Sequence, residues 1–150
     1  MAGPPSSPAG KLRYSKQYRL LKHADYQRVY KQGRRHFSPL MTFFYCEREV
    51  MRDGQQLVPE LPRVGITVGR ALGGAVVRNR LKRRMRQAVR AHLSELLRQP
   101  MPSVDVVINP KKSLLTAEFD AVDTEVARGF QQIRKQWSGS GVRPHTMERA

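Results

Sequence analysis

Acid is scarce in this chain. Twelve aspartates and glutamates stand against 28 lysines and arginines, a formal charge of +16 over 150 residues. A single cysteine, Cys46, excludes an intramolecular disulfide and a cysteine-built zinc site, and fits a reducing, cytoplasmic setting. No apolar run approaches the roughly 18–20 residues needed to cross a bilayer. The opening MAGPPSSPAG lacks the apolar core of a secretory signal. Histidines are few and scattered (His23, His36, His92, His145), none at metal-ligand spacing from a carboxylate or Cys46. Paired carboxylates and Ser/His or Cys/His arrangements are missing, and Gly69, Gly73 and Gly74 form neither a phosphate loop nor a dinucleotide fingerprint. We therefore expect no catalytic residue and no metal ligand from the protein itself.

What is present is cationic charge. An excess this large opposes compaction, and a polyanionic partner relieves it. Nucleic acid is the first candidate, because each neutralised phosphate releases condensed counterions; an anionic membrane surface is the rival. Residues 1–10 and 138–150, rich in Pro, Gly and Ser, read as disordered tails around one domain at 11–137.

Within that domain, His23–Gln32 reads as a helix with Asp25 in its first turn, Gly33 as its stop, and Tyr26, Val29 and Tyr30 on one face. Phe37–Cys46 reads as a short strand and a longer one around Pro39, with Met41, Phe43 and Tyr45 on the heavier face and Thr42, Phe44 and Cys46 on the other. Glu47–Pro62 reads as a loop. Arg63–Gly69 alternates as a strand, its Gly65/Thr67/Gly69 side small enough for a foreign backbone to lie on. A long helix follows over Ala75–Arg98, with an apolar stripe of Val77, Leu81, Met85, Ala88, His92 and Leu96 that makes His92 a core residue; Pro100 and Pro102 end it. Val104–Ile108 is a buried strand. The final helix has Thr116 as N-cap and a stripe of Phe119, Val122, Val126, Phe130, Ile133 and Trp137. The order α-β-β-β-α-β-α predicts an α/β (α+β sandwich) fold on a sheet of about four strands.

Two constellations stand out. On the long helix, Asn79, Arg80, Lys82, Arg83, Arg84, Arg86 and Arg90 fan across the side opposite Leu81, with Arg78 at the border. No acid intervenes before Glu95, whereas a merely solvated face would mix signs. Arginine's planar fork grips phosphate bidentately, so this face predicts binding to RNA or DNA. The second set is Tyr26, Tyr30 and Phe44. Aromatics at such spacing are more often core than platform, yet beside a positive groove they can stack the bases of a single strand.

The run Arg63-Val-Gly-Ile-Thr-Val-Gly-Arg70, then Gly74-Ala-Val-Val-Arg78-Asn-Arg-Leu-Lys-Arg-Arg-Met-Arg86, resembles the signature of the bacterial ribonuclease P protein family. Leu21–Gly33, Val104–Ile108 and the amphipathic last helix extend the resemblance over about 11–137. The resemblance implies a subunit that binds a catalytic RNA and the 5′ leader of precursor tRNA for 5′ maturation, with the active site and its Mg2+ in the RNA. It implies a left-handed β-α-β crossover, against the general preference for right-handed ones. It also implies a leader cleft at Tyr26, Tyr30, Phe44, Thr67 and Arg70, and RNA contacts at Arg78, Asn79, Arg80, Lys82, Arg83 and Arg86. Neither a membrane nor an obligate protein partner is expected. Two cleft aromatics usually Phe are Tyr here, the usual Ser-Lys-Lys reads Gly69-Arg70-Ala71, and the Glu47–Pro62 loop is long for the family. A ribosomal-type structural RNA-binding protein is the alternative.

Overall fold

The period-two alternation of the strands assigns each residue to one of two very unequal faces of the sheet. The computed structural model describes residues 14–48, 51–52, 55–56, 62–97 and 103–136. Both tails, Arg98, Pro100, Pro102 and Trp137 lie outside the described residues. A 3-10 turn at Lys16–Tyr18 precedes helix α1 (His23–Gln32), then strands β1 (Arg34–Phe37) and β2 (Met41–Glu47). Two short strands, β3 (Met51–Arg52) and β4 (Gln55–Gln56), pair with each other before β5 (Arg63–Ile66). Helix α2 (Ala75–Leu97), β6 (Val104–Pro110), a 3-10 turn at Lys112–Thr116 and α3 (Phe119–Lys135) complete the chain. The main sheet runs β1-β2-β6-β5; β2 is antiparallel to both neighbours, and β5 and β6 are parallel, joined through α2 as a β-α-β crossover. This is the expected mixed α/β order, with the β3–β4 pair added inside the segment read as a loop.

Met41, Phe43, Tyr45, Val64, Val106 and Ile108 point to one side, where Leu81, Met85, Val89, Leu93 and Leu96 of α2 and Val122, Val126, Phe130 and Ile133 of α3 bury them. Each such side chain contributes about 1.5–3 kcal/mol, so this layer holds the fold. The opposite face carries α1 and a smaller apolar cluster of buried Leu20, Val29 and Val107, with Tyr26, Tyr30, Phe44 and Cys46 half-buried around them.

Four expectations are corrected. The first strand is Arg34–Phe37, ending where it was expected to begin. Two arginines and a histidine disguise it, yet each has a partner: Arg34 bonds Gln136 (2.6 Å), Arg35 lies over the Phe44 ring (5.4 Å) and His36 lies against Phe43 (5.7 Å). The ladder of β5 stops at Ile66, although the Thr67 amide still donates to the Ile108 carbonyl. Thr116 ends a 3-10 turn that seats Leu114 in the core, and Glu118 is the N-cap of α3. His92 is not a core residue: its Nε2 lies 3.0 Å from Asp123 Oδ2, linking α2 to α3, while Leu93 takes the buried position.

Gly129, in the middle of α3, ordinarily lowers helix stability by about 1 kcal/mol relative to alanine. Here a Cβ would collide with the Phe43 ring, which packs on the bare backbone. Gly129→Ala should therefore destabilise, by about 1–3 kcal/mol of overpacking less the propensity gain, in a denaturant titration. A more stable variant would refute the packing account.

Candidate nucleic-acid interface

Gly73 adopts φ +140, which L side chains rarely tolerate, and turns the chain into α2. Arg78 is half-buried, and its Nε donates to the Gly73 carbonyl at 3.1 Å, bracing that turn. Asn79, Arg80, Arg83, Arg86 and Arg90 are exposed and Lys82 half-buried. Arg84 departs from the expected fan: it reaches across to the chain before α3 and donates to the Ala117 carbonyl at 3.0 Å.

The charged face of α2 is one wall of a groove. Residues 14–26 form the other, held by a bond from the buried Tyr14 hydroxyl to the Val64 carbonyl. Burial, aided by Tyr26, pushes the Tyr14 phenol well above its usual range despite the opposing charges of Arg19 and Arg86. Arg19 donates to the Tyr14 carbonyl (3.0 Å) with its guanidinium 5.2 Å from the ring centroid. Two adjoining cavities of about 480 and 190 Å³ share Tyr14, Arg19 and Arg86. Arg83, Gln87 and Arg90 line the first, Lys82 and Tyr26 the second, and no carboxylate lines either. Arg78, Asn79 and Arg80 line neither cavity.

On the thin face of the sheet, Gly65, Val107, Phe44 and Arg35 stand in register, and Phe37, Thr42 and Asn109 form the next row. Tyr26 covers Gly65 so closely that a Cβ there would strike its phenol, so the small floor is already occupied by the protein's own ring. The Tyr26 hydroxyl donates to the Leu20 carbonyl (3.0 Å) and that of Tyr30 to Asn109 Oδ1 (3.1 Å). Tyrosine at these two positions thus adds anchors that phenylalanine lacks. Burial raises the Tyr26 phenol above its ordinary value, with Tyr30 adding to the effect, so it stays a neutral donor. Tyr30 meets Phe44 edge-on with centroids 5.0 Å apart. The three aromatics are therefore a minor core and a half-open wall at once. Thr67 is half-buried beside them, and Arg70 is exposed in the 3-10 turn at Arg70–Leu72.

Asp105 was missed by the sequence reading. It sits on β6, wholly buried under α1, and binds Arg63 through two hydrogen bonds (2.9 and 2.8 Å), Arg48 at 2.6 Å, and Arg28. Asp25 joins through Arg28 and Arg63, each at 3.4 Å. Burial alone would raise the Asp105 pKa; the Arg63 bonds, the charges of Arg48 and Arg63, and the Arg28 bond overcome it and hold the carboxyl below its ordinary value. The network locks α1, and with it Tyr26 and Tyr30, to the sheet. An aspartate between valines was its one visible signal.

Tyr26 belongs both to the aromatic wall and to the smaller cationic cavity, so trough and groove meet. Such a surface can stack bases and bind phosphates; among the described residues, no cluster of three or more His, Cys, Asp or Glu could hold a metal ion, and no helix is long and apolar enough to cross a membrane.

Comparison with known proteins gives this surface its context. The Ribonuclease P family model matches residues 14–134. The ribonuclease P protein component of Brucella melitensis is 32% identical over 130 residues, 87% of this chain and 89% of that protein. The component from Carboxydothermus hydrogenoformans is 34% identical over 103 residues, 69% of this chain and 79% of that one. The RNase P protein structure from Staphylococcus aureus superposes with a TM-score of 0.62 at 24% identity, covering 79% of this chain and 95% of that one, a likeness of fold.

Proposed function

This chain belongs to the ribonuclease P protein family, and from that premise we propose that it binds the family's catalytic RNA through the charged face of α2 and the single-stranded 5′ leader of precursor tRNA through the trough of Tyr26, Tyr30, Phe44, Thr67 and Arg70. The observation that carries the reading is the continuity of a half-open aromatic wall with an acid-free cationic groove at Tyr26.

The division of labour follows from the side chains. Arg83, Arg86 and Arg90, joined by Arg19, supply rigid forks for phosphate oxygens. Lys82 adds an ammonium in the smaller cavity, and Arg78, Asn79 and Arg80 extend the contact beyond that groove, toward the RNA near the scissile bond. The aromatics offer faces worth roughly 1–3 kcal/mol per stacked base, indifferent to base identity. The chain positions substrate and neutralises charge; no proton transfer is assigned to it. In this reading the divalent metal and the chemistry of cleavage belong to the RNA. A cytoplasmic site of action follows from the same reading.

Reconstitution tests it. The purified chain should leave precursor tRNA intact, and adding it to a ribonuclease P RNA at low magnesium should raise cleavage. Cleavage by protein alone, or no stimulation under any magnesium concentration, overturns the proposal. Tyr26→Ala and Tyr30→Ala should each weaken binding of leader-bearing substrate by about 1–3 kcal/mol while sparing leaderless tRNA. An equal loss with every RNA would instead mark a structural RNA-binding protein.

A further inference from the structure

Phe37 is 63% exposed, the one largely exposed aromatic side chain among the described residues. It lies on the trough face, one row beyond Phe44, across from Thr42. Its surroundings are fixed. The turn after it is closed by the Ser38 amide to the Met41 carbonyl (3.0 Å) and tied to the chain after β6 by the Lys111 amide to the Leu40 carbonyl (2.8 Å) and Ser113 Oγ to the Pro39 carbonyl (2.6 Å). Lys111 Nζ donates to the Ser38 carbonyl at 2.7 Å and sits 5.8 Å from the Phe37 ring centroid.

A rigidly mounted, solvent-facing ring with an ammonium beside it suits a nucleotide. The ring face takes a base, and the ammonium, with three donors of which one is used on Ser38, takes the phosphate. Diagonal neighbours on paired strands stand about 7–8 Å apart, so one strand can engage Phe44 and then Phe37. The surface continues past Phe37: over the edge of β1 it borders a cavity of about 310 Å³ against α3, where Arg128 and Lys135 outweigh Glu125.

We propose that Phe37 and Lys111 form a distal nucleotide subsite, where a base of the single-stranded leader beyond the trough stacks on Phe37 with its phosphate at Lys111. The subsite rests on the leader-binding reading given above, and it makes affinity depend on leader length.

The test uses the full chain assembled with a ribonuclease P RNA and precursor tRNAs differing only in leader length. Phe37→Ala should weaken binding of long-leader substrates about five-fold or more, leave short-leader substrates unchanged, and be rescued by Phe37→Trp. Lys111→Gln should lower the salt dependence for long leaders alone, by a slope of about 0.7. The exposed ring predicts an unchanged melting temperature for Phe37→Ala, separating binding from folding. If Phe37→Ala binds all leaders normally while Tyr30→Ala and Phe44→Ala weaken them, the subsite is wrong and the trough ends at Phe44. A loss that also appears with leaderless tRNA overturns it as well. If Tyr30→Ala and Phe44→Ala also bind normally, the leader reading itself falls and takes the subsite with it.

Discussion

Replacing Arg83, Arg86 and Arg90 together with alanine is expected to flatten the salt dependence of RNA binding by about two to three units of log–log slope and to cost more than ten-fold in affinity at low salt. The three side chains line one cavity with Arg19 and have no carboxylate among their neighbours there. Each phosphate they neutralise releases counterions, at about 0.7–0.9 of slope per contact. The flattening separates this role from general solvation: three solvated arginines would lower the net charge without changing how many phosphates are contacted. Arg84→Ala is the internal control. It removes one arginine charge from the same helix, but the side chain is spent on the Ala117 carbonyl. Its loss should appear as reduced stability, about 1.5–3 kcal/mol for a charged donor, with the salt slope intact. Equal slopes for the triple variant and the unaltered protein, measured by filter binding between low and moderate salt, would remove α2 from the RNA interface.

The contrast between Arg84 and its neighbours marks where sequence reading stops. Angular position on the helix separated the charged side of α2 from Leu81 and Met85, since 3.6-residue periodicity is a local property. It could not see the carbonyl waiting before α3, which comes from the placement of another element. His92 falls on the stripe by spacing, yet Leu93 takes the buried position and His92 meets Asp123 on α3. The strand Arg34–Phe37 was hidden for the same reason. Arg34, Arg35 and His36 have little β-propensity of their own, and their places are settled by Gln136, Phe44 and Phe43, all on other elements. The aromatic set was legible as a set, but its double duty was not: periodicity shows that Tyr26 and Tyr30 share a face, whereas the thinness of the layer beneath them is a fact of packing.

Asp105 carries the largest expected effect on stability. Asp105→Ala should cost about 3–5 kcal/mol, since it leaves Arg28, Arg48 and Arg63 facing one another without the carboxylate that all three share. Small domains have about 5–15 kcal/mol in total, so the melting temperature should fall on the order of 15–25 °C. Asp105→Asn keeps the shape and an acceptor oxygen but not the charge, and should recover part of the loss. The dependence on pH has a definite sign. The folded-state pKa lies below the ordinary 3.8, so the stabilisation is fully present above the ordinary carboxylate range and disappears as pH falls through the folded value. The gap between the unaltered protein and Asp105→Asn should be flat through neutral pH and close only in strong acid. A gap that closed near neutrality would mean that a different group controls it. The functional consequence is indirect. Arg28 and Asp25 belong to α1, so a loosened network should let Tyr26 and Tyr30 drift from Gly65 and Asn109. At temperatures where Asp105→Asn remains folded, leader-dependent affinity should fall more than affinity for the catalytic RNA, whose proposed contacts lie on α2. Equal losses of both would show that the ion cluster supports the whole domain rather than the aromatic wall.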